Sequence, residues 1–296
     1  MSSNFDFLKT AFPVLQNFGK LAEDYCYSDS NSCLMKLGMI GETIVNLIFT
    51  YDQLPIPCDN TAVSRIDTLS REGLIDRDLC DILHSLRKTR NKAVHENYTS
   101  VSDAKALLQM AYSLCEWFMQ TYGDYTYTHK EFIMPEHNDA KAQDKAAEDR
   151  LEADLIRQAE EAAQAAPKVS SSERREKARR AASQRPKSEA ETRYLIDEQL
   201  RKVGWEADTE KLRHSKGTRP AKGHCMAIAE WPTDSTVGNR GFADYALFID
   251  LQMVGIIEAK AIHKDIPSVI DYQGKDYPRN IRETDQEYVI NSWGGV

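Results

Sequence analysis

Six cysteines, Cys26, Cys33, Cys58, Cys80, Cys115 and Cys225, are scattered over 296 residues with no C-x-x-C pair or other zinc spacing. They read as reduced thiols, mostly core, and a disulfide scaffold or zinc finger is not expected. A Gly-x-x-x-x-Gly-Lys-Ser/Thr loop is also missing, so this chain cannot itself be an ATP-driven motor. Basic residues do not dominate: 38 Lys and Arg against 46 Asp and Glu leave a net charge of -8. The whole chain is therefore no general polyanion binder, and any nucleic-acid contact must come from local basic patches. The most apolar stretch, Leu37 to Tyr51, is broken by Glu42 and reads as too short to span a bilayer. No basic region followed by an apolar run marks a signal peptide. These absences predict a cytoplasmic protein with no membrane partner.

The length leaves room for two domains. Over the first 135 residues apolar side chains recur at helical spacing: Phe5, Leu8, Phe12, Leu15 and Phe18; Leu34, Leu37, Ile44, Leu47 and Ile48; Leu107, Leu108, Ala111, Leu114, Cys115 and Phe118. Four or five such helices bury their stripes as a bundle, with Pro55, Pro57 and Asp59-Asn60 punctuating one connection. From about His137 to Pro186 the composition shifts to Ala, Glu, Gln, Lys and Arg, with Ala146, Leu151, Leu155 and Ile156 the few apolar anchors. That favours a solvent-exposed helical spacer, interrupted at Pro167 and Ser170-Ser171-Ser172. A DNA-binding arm through Arg174, Arg175, Lys177, Arg179 and Arg180 is the less favoured alternative. The expected division is a helical bundle over 1–135, a charged helical linker over 136–187 and a second folded domain over 188–296.

The chemistry concentrates in that last part. Asp244 lies in Gly241-Phe242-Ala243-Asp244-Tyr245-Ala246-Leu247-Phe248, and soon afterwards comes Gly255-Ile256-Ile257-Glu258-Ala259-Lys260-Ala261. Two adjacent strands would set two carboxylates and a lysine at one point. Side chains alternate along a strand, so Glu258 and Lys260 share a side, separated by a rise of about 6.6 Å. The flanking Met253, Val254, Ile256 and Ile257 suit a strand buried on both faces. Charges there cost several kcal/mol unless paired or bound to a metal. Asp244 and Glu258 have the chemistry to hold magnesium, which takes carboxylates, water and phosphate oxygens. Lys260 can orient the attacking water or stabilise a pentavalent phosphate. A solvated strand end with a Glu/Lys pair is the bland alternative. Downstream, Ile266, Val269, Ile270 and Gln273 fit one helical stripe closed by Pro278, and Gln273 and Tyr277 share a face. Their amide and phenol suit a phosphate or the carboxylates, or else make ordinary caps.

Asp244, Glu258-Ala259-Lys260 and Gln273 to Tyr277 together resemble the PD-(D/E)xK nuclease superfamily, particularly its RecB-like branch with a Gln-x-x-x-Tyr helix. Glu191-Thr192-Arg193-Tyr194-Leu195-Ile196-Asp197-Glu198-Gln199-Leu200, Gly204-Trp205 and Ala227-Ile228-Ala229-Glu230-Trp231-Pro232 extend the likeness. With them, residues 188 to 296 resemble the N-terminal nuclease domain of type I restriction endonuclease R (motor) subunits. One departure is Ala243, where a proline is usual before the first Asp. The resemblance implies a restriction-endonuclease-like α/β domain with a mixed sheet, and hence an α+β multidomain chain. It also implies magnesium-dependent cutting of double-stranded DNA and a restriction complex with methyltransferase and specificity subunits. ATP serves only a helicase motor that follows the nuclease in that family. The ending at Ser292-Trp293-Gly294-Gly295-Val296 falls where another strand of the sheet is expected, which suggests a piece of a longer protein.

The superfamily places an acid on the helix before the sheet. On a 3.6-residue wheel Ile196, Leu200 and Val203 form the expected buried stripe; Glu189 falls within it and Glu191 opposite, so Glu189 is favoured. Between that helix and the first strand, Lys211, Arg213, His214, Lys216, Arg219 and Lys222 form a basic loop suited to DNA phosphates, with a solvated loop as the alternative. In the helical part, Arg90-Asn91-Lys92-Ala93-Val94-His95 resembles the Arg-polar-x-x-x-His motif of the HEPN superfamily. There Arg and His, usually paired across a dimer, act on the ribose 2′-hydroxyl and phosphate of RNA. The second functional expectation is thus a HEPN-like RNA-binding or RNA-cleaving module whose nuclease-like domain only binds.

Overall fold

A computed structural model describes residues 3–136, 145–233, 241–258 and 288. It shows an α+β multidomain chain, a helical N-terminal region followed by a small mixed sheet, and divides it into two compact units, Met1–Pro186 and Lys187–Val296.

The first unit follows from its caps and stripes. After a short 3-10 turn come α1 (Pro13–Tyr25), α2 (Ser30–Tyr51), α3 (Ala62–Arg71), α4 (Arg77–Glu96) and α5 (Val101–Tyr122). Pro13 opens α1, while Asp29, Thr61, Asp76 and Ser100 accept from the backbone N–H groups of Ser32, Ser64, Leu79 and Asp103. Each such cap is worth about 1 kcal/mol. Phe5, Leu15, Phe18, Leu37, Ile44, Leu108, Trp117 and Phe118 are fully buried. Gly38 lets α2 approach α4 closely: a Cβ there would lie 2.3 Å from the Arg90 Cβ. By length and composition α2 could cross a membrane, contrary to the expectation from Leu37–Tyr51 alone, and 72% of its most apolar window is buried inside the structure.

The expected spacer does not stand clear of this bundle. Helices α6 (Lys145–Ala165) and α7 (Ser171–Gln184) belong to the same unit. Lys36 forms ion pairs with Glu148, at 2.6 Å, and with Glu152, all three nearly buried. Arg174 pairs with Asp52 at 2.9 Å, donates to the Thr121 carbonyl and lies over the Tyr122 ring. Trp117 Nε1 donates to the Ala178 carbonyl at 3.1 Å. The contacting surface is alanine and charge, Ala163, Ala178, Ala181 and Arg174, so apolar periodicity understates it.

In the second unit α8 (Glu189–Lys202), capped by Ser188, precedes a sheet of β1 (Glu206–Ala207), β2 (Cys225–Thr233), β3 (Gly241–Ile249) and β4 (Gln252–Ile257) in that order. β1 runs parallel to β2; the β2–β3 and β3–β4 pairs are antiparallel. One cluster joins Leu200 of α8 to Ala207, Ala227, Ala229 and Tyr245. The other gathers Met226, Ile228, Trp231, Ala246, Phe248 and Met253, with Tyr288 against it. β4 is half-buried rather than buried on both faces, since Val254 is exposed.

Candidate functional site

The β3–β4 ladder ends on Tyr245 opposite Ile257. One step further the same register sets Asp244 across from Glu258, and cross-strand partners share a face of the sheet. On the other side of β3, Ala229 pairs with Tyr245 and Trp231 with Ala243, so Glu230 stands opposite Asp244. Extended by one residue, the register would line up Glu230, Asp244 and Glu258 across β2, β3 and the residue after β4, with neighbouring strands about 4.8 Å apart.

Glu230 departs from strand geometry. Its φ of 52° lies in the left-handed region, which costs a residue with a Cβ on the order of 1–3 kcal/mol. The alternation of faces breaks there: Ala227 and Ala229 pack in the α8 cluster, whereas Trp231 packs in the opposite one. The Glu230 carboxylate meets Arg193 Nη1 of α8 at 3.1 Å and Arg213 Nη1 at 3.2 Å. Arg193 Nη2 in turn lies 3.5 Å from Asp244 Oδ1 and 2.8 Å from Glu189 Oε1. One guanidinium is thus shared by three carboxylates. Burial alone would lower the Arg193 pKa, but the Glu230 hydrogen bond and the charges of Glu189 and Asp244 carry it above its usual value.

Behind this row Asp197 Oδ2 accepts from the Thr209 N–H at 2.8 Å, Thr209 Oγ1 and Tyr245 OH are 2.6 Å apart, and Tyr245 OH donates to the Arg193 carbonyl. Burial raises the Asp197 pKa against the lowering effect of those hydrogen bonds. The network ties the backbone of α8 at Arg193 to β3 beside Asp244.

The α8 stripe keeps Leu200 and Ile196 against the sheet, as expected, but is rotated away from Val203 and Glu189. Glu191, Tyr194, Asp197 and Leu200 are buried, whereas Val203 is exposed and the Glu189 side chain is 79% exposed. A wheel built from apolar residues alone misses a stripe that contains a hydrogen-bonded Asp. Glu189 nevertheless reaches the site through Arg193, and Glu191 lies in the buried stripe. Of the basic loop, Arg213 turns to Glu230 and Thr209, Lys211 pairs with Asp208 at 3.4 Å, and Lys216, Arg219 and Lys222 are exposed. Lys260, Gln273 and Tyr277 lie outside the described residues. The residues that sequence reasoning passed over are Arg193 and Glu230. Two adjacent signals were legible: an Arg four after Glu189, and an acid ending the apolar run Met226–Ala229.

In the helical unit Arg90 Nη1 pairs with Glu42 at 2.8 Å and lines a cleft of about 450 Å³ with Gly38, Gly41, Arg65 and Arg87. His95 sits exposed in the last turn of α4. Five residues on a helix turn through about 500°, which leaves the two on different faces. Within one chain they are not brought together. Asp67, Cys80 and His84 do converge, with ligand atoms within 4.8 Å of one another, a grouping that no sequence spacing announced.

Oxygen donors on adjacent strands fit a hard divalent cation, and the guanidinium beside Asp244 shows that a positive charge is already favourable there. A family model described as the second domain of the type I restriction enzyme EcoKI endonuclease subunit matches residues 206–294, and a domain of unknown function (DUF4145) matches residues 20–154. Among curated proteins the chain is similar to the type I restriction enzyme EcoKI endonuclease subunit of Escherichia coli (strain K12). The two are 31% identical over an aligned stretch of 321 residues that takes in 90% of this chain and 27% of the relative. The chain spans about a quarter of the length of that relative. No solved structure matches it significantly.

Proposed function

We propose that the chain is the DNA endonuclease module of a type I restriction enzyme R subunit and hydrolyses phosphodiester bonds in double-stranded DNA with magnesium. What supports this is that Tyr245 pairs with Ala229 on one side and Ile257 on the other, so that the register extended by one residue brings Glu230, Asp244 and Glu258 into a row. The similarity to a type I endonuclease subunit over 90% of the chain supports it. Asp244 and Glu258 would hold the ion, which when bound neutralises phosphate charge and lowers the pKa of its water. Lys260, two residues beyond Glu258, orients the attacking water or stabilises the phosphate, and Gln273 and Tyr277 act as hydrogen-bonding partners of substrate or carboxylates. Glu189 is the helical acid, acting through Arg193. Exposed Lys216, Arg219 and Lys222 would meet the DNA backbone. Methyltransferase and specificity subunits are the expected partners, and ATP belongs to a motor outside this chain.

The test is magnesium-dependent nicking of plasmid DNA by the chain, expected to fall about a hundredfold or more in Lys260→Ala. Nicking that survives Lys260→Ala, or that needs no divalent ion, would sink this reading. A HEPN-type ribonuclease in the helical unit, with Arg90 and His95 paired across a dimer as the resemblance implies, is the alternative reading. Metal-independent RNA cleavage lost in His95→Ala would support it.

A further inference from the structure

The proposed cation site shares one of its carboxylates with a guanidinium. Arg193 is mostly buried, contacts Asp244 and Glu230 with different nitrogens, and has its Nε buried with no hydrogen-bond partner. Its Nη groups are therefore what hold it. Glu230 takes the shorter of the two contacts, 3.1 Å against 3.5 Å to Asp244. It does so from a left-handed backbone conformation that turns the strand out of its alternation. A carboxylate placed by an unfavourable conformation next to a shared arginine points to a role beyond charge pairing.

We infer that Arg193 competes with the divalent cation for Asp244, and that Glu230 is a positioning residue that draws the guanidinium away so that Asp244 can serve as a metal ligand. The inference rests on the proposed cation site and adds a control to it. Two positive charges beside one carboxylate oppose each other, so the ion and Arg193 bind Asp244 at each other's expense. Glu230, itself steadied by Arg213, gives Arg193 an alternative partner and keeps the helix α8 attached to the sheet when the ion enters.

The experiment is Mn²⁺ binding to the full chain, followed by loss of the free-ion electron paramagnetic resonance signal, in five proteins. These are the unaltered chain, Asp244→Asn, Arg193→Gln, Glu230→Gln and the double variant. Asp244→Asn is expected to abolish the site. Arg193→Gln should tighten binding roughly three- to tenfold, and Glu230→Gln should weaken it by a similar factor. In the Arg193→Gln background the Glu230 substitution should have no effect, because its influence passes through the arginine. Arg193→Met, which removes the charge while keeping a long side chain, provides a second variant should Arg193→Gln misfold, and should also tighten binding. Unchanged affinity in both Arg193 variants overturns the competition. A Glu230→Gln effect that persists without Arg193 overturns the positioning role, because Glu230 would then ligate the ion directly. Binding that is indifferent to Asp244→Asn removes the cation site itself, and with it the reading on which the inference stands.

Discussion

The two units handle buried charge in opposite ways. In the helical unit two buried cations have their own carboxylates: Lys36 sits with Glu148 and Glu152, and Arg174 with Asp52. Arg174 is closed further by the Thr121 carbonyl and the Tyr122 ring. These charges join helices and have no other business. In the second unit Arg193 is divided among Glu189, Glu230 and Asp244, and Glu230 between Arg193 and Arg213. No contact there is exclusive, and exchanging one cation for another rearranges partners without stranding a charge. Dedicated pairs make a scaffold; shared ones make a site that can admit a ligand.

The comparison breaks first at Lys36. Lys36→Ala leaves Glu148 and Glu152 together without their cation and is expected to cost the helical unit about 3–5 kcal/mol, read as a drop in its thermal or urea unfolding midpoint. Arg193→Gln should cost the second unit much less, because each of its partners is partly exposed and Glu230 retains Arg213. Equal losses would show that the distinction between dedicated and shared pairs has no energetic content. A smaller effect tests the backbone of the scaffold. Gly38→Ala places a Cβ against Arg90, so α2 and α4 must separate. About 1–3 kcal/mol should be lost, with the Mn²⁺ affinity of the second unit unchanged.

Much of this was legible in the sequence, and what was not has a physical reason. Apolar stripes announce a bundle of four or five helices, and β3 and β4 announce themselves, because Gly241 to Phe248 and Met253 to Ile257 are short β-branched or aromatic runs separated by a turn. Asp244 and Glu258 stand out as carboxylates on two apolar strand runs, and the last pair of the ladder, Tyr245 with Ile257, lies one residue from each of them. Helices α6 and α7 read as a spacer because they dock through alanine and through buried Arg174, Glu148 and Glu152, residues whose usual place is in water. The α8 stripe was misread for the same reason. Polar residues that are buried because they are hydrogen-bonded are invisible to a hydrophobic wheel. Glu230 escaped notice because only the backbone turn at its φ of 52° aims it at Arg193.

The smallest expected effect sharpens the comparison from the pH side. Asp197 is buried behind the site, with Oδ1 lacking a partner and Oδ2 held by the Thr209 N–H. Burial raises its pKa in the folded chain, so folding favours the protonated form. Its contribution to stability is fully present below the unfolded pKa and is lost as pH rises through the raised folded value. Asp197→Asn keeps an acceptor for Thr209 and removes the titration. The variant should match or exceed the unaltered chain at neutral pH, by no more than about 1 kcal/mol, and lose that advantage in acid. Unfolding curves across pH 3 to 8 read the difference between the two proteins, so that carboxylates common to both cancel. A difference that stays constant with pH would mean that Asp197 titrates alike in the folded and unfolded chain, and that burial does not disfavour its carboxylate.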